Sequence, residues 1–141
     1  MEKLFRGAET GAMQTTFTPV ILVHTFAAFT AIAVGAGMFL ARKGTSSHRI
    51  AGRGWVALML VTAVSSLWIQ TKGHFSLTHL LSVAVPLMLA AGVYFALTRR
   101  IVRHQRMMIG IYALGLGLAG LFTLLPNRLL GRMLWSSLGL I

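Results

Sequence analysis

Cysteine is absent from this 141-residue chain, and carboxylate side chains number two, Glu2 and Glu9. The first absence excludes a disulfide framework, a thiolate metal site and a redox thiol. The second excludes carboxylate-based proton relays and ion-coupled transport within the apolar segments, because both acids precede the first of them. Charge of any kind is scarce. Charged residues make up 11% of the chain, about half the share of an ordinary soluble domain. No nucleophile–base constellation is visible, and no strand followed by a phosphate-cradling glycine loop. The first residues do not read as a secretory signal: Glu2 and Glu9 flank Lys3 and Arg6, and no apolar run begins before Phe17.

What remains is oil with basic punctuation. Hydrophobic residues are 56% of the chain, and the formal charge is +11. The cations sit in short clusters between apolar segments about one bilayer long, so they read as membrane-edge charges rather than a nucleic-acid surface. An apolar helix needs roughly 20 residues to cross the hydrocarbon core. Four stretches qualify: about 17–41, 52–70, 76–98 and 106–125. In the second, Arg53 must snorkel to the interface, with Ser46 or Ser47 capping the helix start. In the third, Pro86 lies mid-span and predicts a kink. Residues 127–141 carry Arg128, Arg132 and Trp135 among leucines and read as an interfacial helix. The expected fold is a single all-α membrane domain over residues 1–141, a four-span up-down bundle with a short C-terminal interfacial helix.

Lysine and arginine counts orient it. The first and third loops carry Arg42, Lys43, Arg49, Arg53, Arg99, Arg100, Arg103 and Arg106; the other side carries Lys3, Arg6, Lys72, Arg128 and Arg132. Eight against five places the two tight loops in the cytoplasm and both termini in the periplasm of a bacterial inner membrane, with anionic lipid at the basic loops.

The chain also resembles itself. A shift of 55 residues lays His24 on His79 and Ala36-Gly37 on Ala91-Gly92; a shift of 56 lays His48 on His104; a shift of 57 lays Arg42-Lys43 on Arg99-Arg100. Two tandem helical hairpins of like orientation follow, related by a pseudo-twofold axis along the membrane normal. Helices 1 and 3 then face each other across the bundle, as do helices 2 and 4. His24 and His79 form one pair toward the outer side, and His48 and His104 form another at the inner edge.

Two neutral imidazoles facing across a bundle suit a metal with two axial positions, and haem iron is the obvious case. A zinc site would want three or four ligands in one place. The four histidines are therefore candidate axial ligands for haem b, possibly two. Gly35, Gly37, Ala91, Gly92, Gly115, Gly117 and Gly120 are candidates to make room for the macrocycle. Arg49, Arg53, Arg103 and Arg106 are candidate propionate partners at the inner level, Lys72 and Arg128 at the outer. Thr25, Ser47 and Thr78 are candidates to orient the rings. Plainer explanations compete. His48 and His104 sit at helix starts, where headgroups suffice to explain them. His24 is also explained by a hydrogen bond to a neighbouring helix, small residues by close helix packing, and Met107-Met108 by core filling. His74 reads as loop.

The segments HRIAGRGW, GHFSLTHLLS and RHQRMMIGIYALGLGLAGLFTLLPNRLLG, with the preceding TRR, resemble a bacterial family of predicted membrane proteins, the domain of unknown function 2306, over roughly residues 20–132. The resemblance implies a four-span membrane protein and carries over no catalytic residue. In layout the two histidine pairs are also similar to the transmembrane di-haem cytochromes b. These readings point to a small membrane cytochrome b, an electron carrier rather than a hydrolase or transferase, with a quinol or other reductant as partner. The alternative is a haem-free accessory subunit of a larger respiratory or photosynthetic complex. A transporter is a weaker third, since few residues could line a polar path.

Overall fold

The computed structural model describes residues 19–69, 77–126 and 128–141. Among these, four helices are long and apolar enough to cross a membrane, and no strand occurs. The first is α1 (Pro19–Leu40). Proline fits its first position, where the missing N–H would have had no intrahelical partner. The second is α2 (Ser46–Trp68). It starts six residues before the expected span, because the helix runs on through the polar turns carrying Arg49 and Arg53. Its cap is Thr45, whose hydroxyl accepts from the His48 amide at 3.1 Å, and not Ser46 or Ser47. The third is α3 (Leu77–Leu97), which runs continuously through Pro86.

The fourth span is composite. It comprises α4 (Ile101–Gly110), a π-helical stretch (Ile111–Leu118) and α5 (Ala119–Thr123). No feature of the apolar pattern distinguishes the π stretch from α-helix. Its i→i+5 turn returns the fifth residue to the same face, so Ile111 and Leu116 are both buried. A last helix, α6 (Leu129–Ser137), folds back on the end of this span. Trp135 Nε1 donates to the Leu124 carbonyl at 2.8 Å, and a methyl added at Gly131 would meet the Leu125 carbonyl.

The spans run up and down with tight turns at one end. Neighbours pack in sequence order, and the π stretch returns to α1 to close the ring. The turn after α3 puts Arg99 at a positive φ of 58°, where Arg100 N bonds the Phe95 carbonyl and Arg99 N the Ala96 carbonyl. The turn after α1 uses Gly44 at φ 82°. Both close with a left-handed residue, as helix ends commonly do.

The buried seam is narrow. On α1 it is Ala27, Ala31 and Gly35; on α2, Trp55, Met59 and Ala63; on α3, Ser82, Val85, Leu89 and Gly92. Spacings of three and four residues mark one stripe per helix. Outside it, Phe26, Leu80 and Leu87 are 64–75% exposed, which suits acyl chains and not water.

The seam also measures the repeat. Trp55 matches Ile111 at a shift of 56, and Met59 matches Leu116 at 57, so the π stretch adds one residue to the second copy. Ala27 and Ala31 match Val85 and Leu89 at 58, and Gly35 matches Gly92 at 57. For α1 and α3 the buried register thus lies one turn away from the 55-residue shift that aligns His24 with His79. It sets Ser82 opposite His24.

Two buried glycines allow close approach, with different tolerance. A methyl at Gly35 would strike the Tyr112 ring and Trp55 Nε1, both held by hydrogen bonds, whereas one at Gly92 would meet mainly the tip of Met108. Overpacking a rigid contact costs about 1–3 kcal/mol, while a thioether can swing aside. Gly35→Ala is expected to lower unfolding stability in detergent by that amount, and Gly92→Ala to lower it by well under half as much.

Candidate functional site

The candidate residues sit at two levels, above and below a sealed middle. That middle is Ala31, Trp55, Met59, Leu89 and Ile111, each at most 2% exposed. Space beside Gly35, Gly92 and Gly115 is taken by side chains: Tyr112 and Trp55 at the first, Met108 at the second, Met59, Val85 and Ile111 at the third. These glycines, expected to make room for a macrocycle, let helices close up instead, which is how lipid-embedded helices gain van der Waals contact. Gly37 and Gly120 face open space.

At the level near the start of α1, the half-buried His24 turns toward α2. Its Nδ1 lies 2.9 Å from the Thr62 carbonyl and 3.0 Å from Ser65 Oγ. A carbonyl can only accept, so Nδ1 carries the proton and donates it. Ser65 Oγ commits its own proton to its helix, 2.6 Å from the Val61 carbonyl, and accepts from His24. One turn along the same seam, Ser66 and Ser82 share a hydrogen bond between α2 and α3. His79 lies on α3 three residues before Ser82 and is half-buried. This level is thus a belt of His24, Thr62, Ser65, Ser66 and Ser82. The groups that orient His24 come from α2 and not from Thr25 beside it. Thr62, Ser65 and Ser66 belong to the sequence run TAVSS, whose three hydroxyls amid apolar residues were the available signal.

At the other level, His104 Nδ1 lies 2.8 Å from the Gly92 carbonyl and so donates to it. His48, third residue of α2, has a buried Nδ1 with no hydrogen-bond partner among the described residues. A buried polar atom left unmatched costs about 1–3 kcal/mol. His48 and His104 are related by the shift of 56 that also relates Trp55 to Ile111, so they occupy matching depths. Arg49, Arg53, Arg103 and Arg106 are exposed at this same end, and Arg103 lies over the Phe95 ring at 6.0 Å. Ser47 is exposed. At the opposite end Arg128 is half-buried, while Lys72 and His74 lie outside the described residues. Nowhere among the described residues do three or more His, Cys, Asp or Glu side chains gather.

Both bonded imidazoles therefore hold the same tautomer when neutral. Nδ1–H is spent on the main chain of the adjacent helix, and Nε2 keeps its lone pair. From the helix rise, His24 and His104 stand roughly 20 Å apart along the membrane normal.

The family described as "Predicted membrane protein (DUF2306)" matches residues 21–133. The chain belongs to the DUF2306 family. That stretch runs from the first turn of α1 into α6, so DUF2306 covers all four spans and every histidine named above. No curated protein and no solved structure matches this DUF2306 chain.

The His24 bond is testable as a stitch between α1 and α2. Hydrogen bonds between membrane helices contribute about 0.6 kcal/mol, at most about 1.7. A double-mutant cycle of His24→Phe and Ser65→Ala, read by unfolding in mixed micelles, is expected to give a coupling within that range. Fully additive losses would show that the two side chains do not meet.

Proposed function

We propose that this DUF2306 protein is a small membrane cytochrome b, carrying electrons between the two faces of a bacterial inner membrane through bis-histidine haem. The observation that carries the reading is the His48/His104 level. Two histidines of equal depth on helices diagonal in the ring fit an iron-binding pair. One has its Nδ1–H anchored to a main-chain carbonyl, as metal-ligating imidazoles almost always do. The other has a buried nitrogen that the described residues leave unanswered. His104 presents a basic Nε2, and the exposed arginines at this end are placed to neutralise propionates. His24, with the same tautomer, and His79 would serve the second level, with His79 one turn nearer the membrane surface. A haem bound at either level supplies a one-electron iron couple there. The chain's own part is to fix the ring tautomers, hold cations at the rim and exclude water from the middle, with both termini on the periplasmic side and a quinol or comparable reductant as donor.

A second reading has its own support. The filled seam of Trp55, Met59, Leu89 and Ile111 is what a haem-free accessory subunit of a larger respiratory or photosynthetic complex would present.

The deciding measurement is a dithionite-reduced minus oxidised absorbance spectrum of protein purified in mild detergent from haem-replete cells. Soret and α bands are expected; a folded sample without them sinks the cytochrome reading and favours the subunit, which would then co-purify in a defined complex. Single variants sharpen this. His48→Ala and His104→Ala are expected to lose the same spectral component, and His24→Ala and His79→Ala the other. Loss of both components from every variant would instead mark a folding defect.

A further inference from the structure

The basic end of the bundle has a charge problem that the described residues do not solve. Arg42, Arg49 and Arg53 belong to the first hairpin and Arg99, Arg103 and Arg106 to the second, all six exposed. Arg49 and Arg53 are four residues apart on one helix, and Arg103 and Arg106 three apart on another. At those spacings side chains are neighbours on one face, and like charges repel. Among the described residues no Asp or Glu side chain relieves them. An anion from outside the bundle would.

Depth says from where. α2 has 23 residues, about 34 Å of helix against a hydrocarbon core of about 30 Å. Arg49 falls at the headgroup boundary. Arg53, eighth in the helix, lies about 10 Å in, where a guanidinium must snorkel outward or draw a headgroup inward. A guanidinium snorkelling out from that depth meets the phosphate layer before any soluble anion or acidic protein face. Guanidinium also matches phosphate with paired N–H donors.

We propose that this end carries two anionic-phospholipid sites, one per hairpin, in which the arginines of each hairpin clamp one phosphate headgroup. Arg49, Arg53, Arg103 and Arg106 are also the side chains that the cytochrome reading turns toward propionates, so each of these cations serves one anion or the other. The two clusters are not copies of one another, since the shift of 56 that lays His48 on His104 lays Arg49 on Gln105 and Arg53 on Ile109; each hairpin has its own arginines, so two lipids per chain is the expected count.

Native mass spectrometry of the full chain, released from micelles doped with phosphatidylglycerol or phosphatidylcholine, tests this. Retention of up to two phosphatidylglycerol molecules is expected, with little phosphatidylcholine. Paired Arg49→Gln and Arg53→Gln substitutions are expected to reduce the count to one, as are Arg103→Gln and Arg106→Gln. Arg128→Gln, at the other end, is expected to leave two. Thermal unfolding gives a second readout: phosphatidylglycerol should raise the midpoint and inorganic phosphate should not. Equal retention of the two lipids, a count indifferent to the arginines, or equal stabilisation by inorganic phosphate would each overturn the proposal. A His48→Ala protein is expected to keep both lipids, so failure of the haem reading leaves this result intact.

Discussion

In a bilayer, apolar burial does not drive helices together, because acyl chains are as greasy as leucine. What this bundle does instead is place at least one polar stitch on every side of its ring. His24 reaches Thr62 and Ser65, and Trp55 Nε1 reaches the Ala31 carbonyl, both joining α1 to α2. Ser66 and Ser82 join α2 to α3. His104 and the Gly92 carbonyl join α3 to α4. The Tyr112 hydroxyl bonds the Ile32 carbonyl and closes the circle. The small seam residues follow from this arrangement. Each stitch is short, so backbones must come close, and alanine or glycine at 27, 31, 35 and 92 allows it.

The same bonds bear on chemistry. A histidine that merely tied helices could use either ring nitrogen. His24 and His104 both spend Nδ1 and keep Nε2, so the structural bond and an axial-ligand role are compatible in one side chain. That compatibility ties cohesion to the proposed function, and it makes both tautomers a consequence of helix packing.

Much of this was legible in the residues. Apolar length alone identified four spans, and four helices long and apolar enough to cross a membrane occur among the described residues. The common register of His48 and His104 was legible because histidine is rare in this chain and one shift aligns both. The outer pair was harder to read. Its alignment rested on Ala36-Gly37 and Ala91-Gly92, and small residues recur in every membrane helix, so the 55-residue shift competes with the 58-residue shift that burial selects. The α2 start was legible to within two residues, since Ser46 or Ser47 was expected as the cap and Thr45 serves instead. Trp55 and Tyr112 as interhelical donors, and carbonyls as histidine anchors, were invisible because main-chain acceptors leave no trace in a sequence.

The π stretch at 111–118 works as a vernier between the two copies. Below it, the second hairpin keeps step with the first, so His104 stands level with His48. Above it, the count is advanced by one, so Leu116 takes the place of Met59. A single inserted residue has been absorbed without rotating either half of the helix out of the seam. Two related hairpins thereby acquire different far ends while their near ends keep step. The molecule is in register where its inner histidines lie and out of phase elsewhere.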